Sequence, residues 1–382
     1  MKILILGGDG YLGWPTAMNL TAHGHEVAVV DNYLRRNICR EEDCEPLFEV
    51  PNLHARVRQW ERQSGYSIRV FIGDLCQWDF METVFRSFEP EAIVHYAEQP
   101  SAPYSMLNRR AATMTIKNNL DVTANVIFAV REFSPQAHIV KIGTMGEYGT
   151  PNIDIEEGWI DIEHKGRSHT FLYPRQASSL YHTTKIMDTD LLWFYVRMWD
   201  LRVTDLMQGP VYGIHTDETN DDPQLLPFFN YDELFGTVLN RFIVQAVADY
   251  PLTVFGKGGQ TRGYLNIKDT LQCVRLSLEK PADPGELRIF NQLVETFSVN
   301  DLAQRVKDAG AGFGLNVQIK SIENPRKEAE DHYYNPAHTG LLELGLEPNY
   351  LSEEVLGKMI ETVLRHKDSI NRYAIFRGVK WA

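Results

Sequence analysis

The stretch KILILGGDGYLG, residues 2–13, decides the fold. Its aliphatic residues predict a buried strand, and glycines follow at positions 7, 10 and 13. Glycine permits a tight turn and lets a pyrophosphate approach the backbone, while the next helix offers free N–H groups to the phosphates. The second predicted strand ends at Asp31, 18 residues after Gly13, where an acid is expected to bind the adenosine ribose. The stretch therefore predicts a dinucleotide-binding βαβ unit.

Side chains near this turn indicate which dinucleotide would bind. A carboxylate at Asp31 repels a 2′-phosphate and therefore favours NAD over NADP. Arg35 and Arg36 follow closely, and they could instead contact the diphosphate or cap the adenine. Asp74 ends the third predicted strand, where it could bind the adenine amino group, cap the next helix, or do both. The alternative is an ordinary βαβ turn that holds no cofactor.

The rest of the N-terminal half alternates aliphatic strands with amphipathic helices. This pattern predicts an α/β fold with a Rossmann-like, doubly wound parallel sheet. We place the NAD-binding domain at residues 1–206, with a polar insertion at about 33–67, and a smaller substrate-binding lobe, interleaved with it, at 207–382. Predicted strands cover 2–6, 26–30, 68–72, 92–95, 138–142 and 203–207, and predicted helices cover 10–22, 78–88, 113–132, 179–199 and 231–248.

Composition argues against several classes of protein. The 382 residues carry 38 Lys and Arg against 51 Asp and Glu, a net charge of −13, which disfavours nucleic-acid binding. No apolar run reaches the roughly 18–20 residues that a membrane-spanning helix needs. The four cysteines form neither a disulfide framework nor a zinc-type cluster with histidine. We therefore expect no metal site, no membrane insertion and a cytoplasmic location.

The pattern YxxxK at residues 181–185 opens a predicted helix and indicates proton chemistry. Tyr181 and Lys185 lie four residues apart and therefore share a helix face. A free tyrosine titrates near about 10, but a neighbouring ammonium and a positive nicotinamide are expected to lower the pKa of Tyr181. Tyr181 could then take a proton from a substrate hydroxyl while a hydride goes to NAD. Without the glycine motif, the pattern would usually be a surface pair.

Thr144 follows the predicted strand 138–142. Open α/β sheets bind ligands at the carboxyl ends of their strands. We expect the Thr144 hydroxyl to lie beside Tyr181 and to bond the same substrate oxygen. A buried threonine that bonds its own backbone is the alternative.

Together, the glycine spacing, the acid at the strand end, the threonine and YxxxK resemble the extended short-chain dehydrogenase/reductases. Longer strings resemble one family among them, the UDP-sulfoquinovose synthases, over almost the whole chain. These strings are GGDGY at 7–11, GTMGEYGTPNIDIEE at 143–157, GKGGQTRGY at 256–264 and HYYN at 332–335.

The resemblance implies an enzyme that converts UDP-glucose and sulfite to UDP-sulfoquinovose for sulfolipids or glycans. In the implied mechanism, Tyr181 and NAD oxidise C4 of the sugar, the ketone acidifies the C5 proton, and water leaves from C6. Sulfite then adds to the enone and the hydride returns to C4, so NAD is recycled. A UDP-glucose 4-epimerase or 4,6-dehydratase on the same scaffold is the alternative. A third hypothesis is an NAD-sensing protein with a relic site.

The resemblance also assigns roles at C5 and C6. Related dehydratases carry an Asp-Glu pair after the threonine, where this chain has Met145 and Gly146. Glu147, one position further on, is therefore expected to move the proton, unless it is a structural carboxylate. His182 could donate to the leaving water, bind sulfite, or simply be packed. The implied catalytic residues are Thr144, Glu147, Tyr181, His182 and Lys185.

The remaining implied roles concern binding and assembly. The family resemblance also implies a homodimer, for which Leu191, Leu192, Phe194 and Tyr195 could form the contact face or be buried in the monomer. Pro100 stands where relatives carry an arginine. The implied cofactor-binding residues are Gly7, Asp9, Gly10, Tyr11, Leu12, Gly13, Asp31, Asn32, Arg35, Arg36, Asp74, Leu75, Tyr96, Glu98, Asn119, Tyr181, Lys185 and Gln208. The implied substrate-binding residues are Gln99, Tyr104, Thr144, Met145, Gly146, Glu147, Gln208, Tyr212, Arg241, Thr253, Lys257, Gln260, Arg262 and Arg326, the last two as a diphosphate clamp.

Overall fold

Fourteen strands and thirteen α-helices make up the computed structural model, which describes residues 1–219, 222–324 and 333–381. The strands are β1 (Lys2–Leu6), β2 (Glu26–Asp31), β3 (Ile68–Ile72), β4 (Ala92–His95), β5 (His138–Thr144), β6 (Trp159–His164), β7 (Arg167–Leu172), β8 (Arg202–Gln208), β9 (Val211–Tyr212), β10 (Leu252–Phe255), β11 (Thr261–Asn266), β12 (Leu287–Gln292), β13 (Glu295–Ser298) and β14 (Ile319–Ile322). The helices are α1 (Gly13–Ala22), α2 (Leu34–Glu41), α3 (Leu53–Ser64), α4 (Trp78–Phe88), α5 (Ala102–Ser105), α6 (Arg109–Phe133), α7 (Leu180–Trp199), α8 (Val238–Val247), α9 (Ile267–Glu279), α10 (Val299–Ala311), α11 (Gly340–Glu343), α12 (Glu353–Arg365) and α13 (Arg372–Ile375). Two 3₁₀ turns cover Met145–Glu147 and Lys367–Ser369.

A parallel sheet of seven strands organises the molecule, in the order β12-β8-β5-β4-β1-β2-β3. The chain starts at β1, winds outward through β2 and β3, then returns to the other side of β1 with β4 and continues outward. The crevice between the carboxyl ends of β1 and β4 is therefore a topological switch point, where open α/β sheets bind ligands. The predicted doubly wound α/β fold is confirmed.

Most predicted elements match the structure closely, but one helix was predicted too long. The sequence predicted a helix over 231–248, whereas α8 begins only at Val238. The Asp232 carboxylate accepts the N–H groups of Leu234 at 2.8 Å and Phe235 at 2.9 Å. Such local bonds compete with helical ones, so residues 231–237 form a turn instead.

The predicted insertion at 33–67 contains α2 and α3 and is anchored by a buried arginine. Arg56 is fully buried, and its Nη2 donates to the Leu226 carbonyl at 2.9 Å. Its guanidinium lies 4.5 Å from the Trp14 ring centre and 3.4 Å from Asp9 Oδ1. Through Arg56, α3 therefore ties the glycine turn to residue 226.

The second half of the chain forms smaller sheets, β13-β11-β9 and β10-β14, with α8, α10 and α12 packed around an apolar core. β12, however, leaves this part and pairs with β8 in parallel, which completes the central sheet. Because β12 comes from the second half of the chain but belongs to the central sheet, the domain boundary at residue 206 stays a prediction. Among the described residues, no helix is long and apolar enough to cross a membrane.

We expect Arg56→Ala to lower the free energy of unfolding by about 3–5 kcal/mol, because it leaves Asp9 with less compensation and removes the stack on Trp14. Arg58→Ala is the matched control, since Arg58 is exposed on the same helix and should change stability by less than about 0.5 kcal/mol. Thermal unfolding of both variants checks this. Equal melting temperatures for the two variants would contradict the anchoring role.

Candidate active site

A cleft with a cavity of about 520 Å³ lies at the carboxyl ends of the central strands. Its walls come from the β1–α1 turn, the ends of β4, β5 and β8, the start of α7, and residues of α8, β10 and β11. The cleft therefore spans the switch point of the sheet and the smaller sheets that follow it in sequence.

The glycine turn forms a cradle for a dinucleotide phosphate. Gly7 has a φ of +88°, and a Cβ there would lie 2.9 Å from the Tyr96 carbonyl atoms. A Cβ on Gly13 would collide with the Gly7 carbonyl oxygen. No side chain caps the N-terminus of α1, and its first turn holds no acidic residue. Main-chain N–H groups and the helix dipole thus face the cleft without a competing side chain.

Asp31 stands at the end of β2 as predicted. Its carboxylate accepts the N–H groups of Asp9 at 2.9 Å and of Tyr33 at 2.7 Å. Burial, followed by the charge of Asp9, raises the pKa of Asp31 to about 6. The side chain is on the cleft wall and is ionised at neutral pH, so its carboxylate can accept hydrogen bonds from ribose hydroxyls there.

Arg36 is not among the residues that line the cleft, and its expected contact with the cofactor stays a prediction. Its guanidinium forms a two-point ion pair with Asp9, at 2.5 and 2.8 Å. It also donates to the carbonyls of Val50 and Pro51. Arg35 lines the cleft instead, 4.5 Å from the ring centre of Phe235.

Tyr181 and Lys185 lie on the first turns of α7 and both line the cleft. The Lys185 ammonium donates to Glu98 Oε1, and Asp188 Oδ2 lies 3.8 Å away. Burial lowers the pKa of Lys185, but the charges of Glu98 and Asp188 outweigh burial and raise this pKa overall. Lys185 is therefore held as a charged, ion-paired ammonium.

The predicted lowering of the Tyr181 pKa is not what the protein groups produce. Burial raises the pKa of Tyr181 above its ordinary value, and the charges of Glu98 and Glu147 raise it further. Lys141 opposes the shift, but only partly. Burial is the main cause, and Glu98 in addition compensates the Lys185 ammonium that was expected to stabilise the phenolate.

Thr144 ends β5 and caps the 3₁₀ turn that follows. Its hydroxyl accepts the Gly146 N–H at 3.1 Å, while its own N–H donates to Glu147 Oε1 at 3.3 Å. This reciprocal capping fixes the threonine on the cleft wall.

The surroundings of Glu147 favour the structural alternative, and its expected role in moving protons at C5 and C6 stays a prediction. It is fully buried and absent from the cleft wall. Its Oε1 lies 3.4 Å from the ammonium of Lys141, which is equally buried. Lys141 also contacts Asp205 Oδ2 at 2.9 Å and Thr189 Oγ1 at 2.6 Å. Burial raises the pKa of Glu147, against the opposing charge of Lys141.

His182 occupies the space that a side chain at position 146 would need. A Cβ on Gly146 would collide with Nε2 of His182. The imidazole lines the cleft together with Thr144, Gly146 and Tyr181. A proton-carrying ring thus stands where Met145 and Gly146 provide no ionisable group.

The structure places most predicted binding residues on the cleft wall, where their individual roles stay predictions. These are Gly7, Asp9, Gly10, Tyr11, Leu12, Gly13, Asp31, Asn32, Arg35, Asp74, Leu75, Tyr96, Glu98, Gln99, Thr144, Met145, Gly146, Tyr181, His182, Lys185, Gln208, Arg241, Thr253, Gln260 and Arg262. The side of the cleft formed by α8, β10 and β11 is called the second wall, and there Arg241 Nη2 donates to Thr253 Oγ1 at 3.3 Å. Arg326 lies outside the described residues.

Four other predicted residues do not reach the wall. Tyr212 points into the core, with its hydroxyl 3.3 Å from Glu295 Oε2. Asn119 is fully buried and joins Gln99 to α7 through bonds of 2.8 and 3.0 Å. Tyr104 packs on Phe235, and Lys257 is also absent from the wall. Tyr212, Asn119 and Tyr104 do not line the cleft because their side chains are packed in the core or between elements.

Several lining residues escaped sequence analysis. Phe235 and Glu233 come from the turn before α8, and Val379 and Trp381 come from the C-terminal segment. None of these stands in a motif. Lys141 was detectable in principle, because a lysine within the apolar strand HIVKIGT requires a buried partner.

Comparison with known proteins agrees with this architecture. The family model for the NAD dependent epimerase/dehydratase family matches residues 3–291. A chloroplastic UDP-sulfoquinovose synthase of Spinacia oleracea is 49% identical over 380 residues, covering 100% of this chain and 79% of the spinach protein. A UDP-sulfoquinovose synthase of Sulfolobus acidocaldarius is 44% identical over 384 residues, covering 100% and 98%.

A solved structure supports the fold. The UDP-glucose 4-epimerase of Thermus thermophilus, in complex with NAD, matches with a TM-score of 0.67 at 21% identity, covering 95% of this chain and 99% of the epimerase. The chain therefore belongs to the NAD-dependent epimerase/dehydratase family and, within it, to the UDP-sulfoquinovose synthases. This membership confirms NAD as the cofactor, and the glycine cradle and Asp31 fit it.

We expect Glu147→Gln to keep turnover of UDP-glucose with sulfite within about tenfold of the parent, because the amide oxygen can still accept the Thr144 N–H. Loss of a general acid or base would cost roughly 100- to 10,000-fold. Glu147→Leu removes the acceptor and should lower both turnover and melting temperature. Turnover numbers and thermal unfolding check this. A loss above 100-fold in Glu147→Gln at an unchanged melting temperature would restore its catalytic assignment.

Proposed function

We propose that the chain is an NAD-retaining enzyme that joins UDP-glucose and sulfite to give UDP-sulfoquinovose and water. The observation that carries the proposal is similarity along the whole chain, at 49% and 44% identity, to two UDP-sulfoquinovose synthases. The cleft supports it, because Thr144, Tyr181, His182 and Lys185 share one wall.

Oxidation at C4 of the glucose begins the proposed sequence. When bound, NAD supplies the acceptor for the C4 hydride, returns it at the end, and brings a positively charged ring. Tyr181 takes the proton of the C4 hydroxyl, and Thr144 donates a hydrogen bond to the same oxygen. Burial keeps the pKa of Tyr181 high, so the phenol needs an added positive charge beside it to act as a base at neutral pH.

Elimination and addition follow at C5 and C6. The C4 ketone acidifies the C5 proton, and loss of that proton with the C6 hydroxyl gives water and an enone. We assign His182 as the donor to the leaving hydroxyl, since its ring fills the space beside Gly146. The sulfur lone pair of sulfite then forms the bond to C6, and C5 regains a proton.

The diphosphate of the sugar nucleotide is assigned to the second wall. Arg241, Arg262 and Gln260 line the cleft there, together with Thr253. Burial lowers the pKa of Arg241, but a guanidinium stays charged at neutral pH. Arginine suits this role because its planar fork pairs with two phosphate oxygens.

Assembly and location are part of the same proposal. A homodimer is supported by the exposed apolar residues Phe194, Met187 and Met198 on α7, with exposures of 48%, 44% and 60%. Leu192 belongs to the core and cannot serve that face. We propose a cytoplasmic location because all four cysteines are free thiols.

Incubation of the purified protein with UDP-glucose, with and without sulfite, tests the activity. Mass spectrometry should show a UDP-sugar sulfonate only when sulfite is present. UDP-galactose or a UDP-4-keto-6-deoxy sugar as the main product would replace the proposal by an epimerase or a dehydratase. Bound NAD with no product and no cofactor reduction would indicate a sensing protein.

Tyr181→Phe should lower turnover by at least roughly 1,000-fold while NAD and UDP still bind, because only the transferable proton is lost. Tyr195→Phe is the matched control on the same helix, where Tyr195 packs on Phe128 and Trp199. Steady-state kinetics and calorimetric titration measure the two effects. Near-normal turnover in Tyr181→Phe would remove this tyrosine from the mechanism.

A further inference from the structure

Glu98 forms a buried ion pair with the lysine of the YxxxK motif. We propose that Glu98 is a positioning residue that holds Lys185 and cancels its charge, so that the cleft binds oxidised NAD more tightly than NADH. This role rests on the proposed function in one respect: a recycled cofactor must start each cycle oxidised.

The position of Glu98 links it to both the lysine and the cleft. It follows β4 at the switch point of the sheet, and its side chain is only 5% exposed. Its Oε1 accepts a hydrogen bond from Lys185 Nζ. Its Oε2 is buried and finds no hydrogen-bond partner among the described residues, and Glu98 lines the cleft. One oxygen thus fixes Lys185 and the other is available to a ligand.

Other ionisable groups around Lys185 do not replace this charge. Asp188 Oδ2 is 3.8 Å from Lys185 Nζ, but burial and the charge of Glu98 raise the pKa of Asp188 well above its ordinary value. His95 Nε2 is 3.7 Å from Glu98 Oε1, and burial lowers the pKa of His95 to about 4, which leaves it neutral. Glu98 is therefore the carboxylate in direct hydrogen-bond contact with the Lys185 ammonium, and Asp188 lies further from it.

A second buried lysine, Lys141, lies close to Lys185, so the negative charge of Glu98 is needed beside two positive charges. Lys141 donates to the main-chain carbonyl of Lys185 at 3.3 Å, so the two ammonium groups belong to neighbouring networks. Lys141 is itself paired with Asp205 and Glu147. Without the charge of Glu98, Lys185 would keep only the more distant Asp188 within ion-pair distance among the described residues, and its positive charge in the cleft wall would be poorly compensated.

The sign of the effect on the cofactor follows from charge alone. The nicotinamide ring is positive in NAD and neutral in NADH. An uncompensated ammonium repels the positive ring and leaves the neutral ring nearly unaffected. Glu98 therefore increases the affinity of the cleft for NAD more than its affinity for NADH.

The test measures cofactor binding in protein freed of bound nucleotide, without sugar or sulfite. Calorimetric titration with NAD and NADH gives the ratio of the two dissociation constants for the parent and for Glu98→Gln. We expect Glu98→Gln to weaken NAD binding by about tenfold and NADH binding by less than about twofold. Because no sulfonate chemistry is involved, the result is independent of whether UDP-sulfoquinovose is formed.

Two further variants separate charge from structure. Glu98→Asp keeps the charge and should keep the parent ratio within about threefold, even if both affinities fall. Glu233→Gln removes another carboxylate from the same cleft, one that accepts the N–H groups of Arg377 and Val379, and should leave the ratio unchanged. Equal weakening of NAD and NADH binding in Glu98→Gln would overturn the proposal. So would a ratio of the NADH to the NAD dissociation constant that falls in Glu98→Asp as far as it falls in Glu98→Gln.

Discussion

The buried ammonium of Lys141 is the constraint on which the active site depends. It lies in the middle of a parallel strand without exposure to water, and such a charge is tolerated only when it is paired and hydrogen-bonded. Its partners come from three elements: Asp205 on β8, Thr189 on α7 and Glu147 after β5. Through them, one charge fixes the relative positions of the strand end that carries Thr144 and the helix that carries Tyr181.

A second network, centred on Lys185, lies directly beside the first. The two share the backbone of α7, and each combines a fully buried lysine with carboxylates. The phenol of Tyr181 stands between these charges and is raised in pKa by burial and by the carboxylates. The protein groups alone thus favour the protonated form of the tyrosine, and the positive ring of a bound NAD would oppose this shift in pKa.

Local sequence was sufficient for the sheet and for the chemical motif. The βαβ start, Asp31 and the strand before Thr144 were all placed correctly, because short aliphatic runs and glycine turns act over a few residues. The ion pairs of Glu147 with Lys141 and of Arg36 with Asp9 could not be predicted from the sequence, because only tertiary packing brings these partners together. Residues such as Trp381 and Phe235 line the cleft from segments far apart in sequence, and no periodic pattern in the sequence predicts that they do so.

The late arrival of β12 has a consequence for biosynthesis. Until residues 287–292 have been made, β8 is the outer strand of the nascent sheet and exposes its main-chain N–H and C=O groups. An open edge of this kind can recruit strands from other chains. Because β12 is itself the outer strand of the finished sheet, its addition moves the open edge from β8 to β12, and the edge of β8 is exposed only until residues 287–292 have been made.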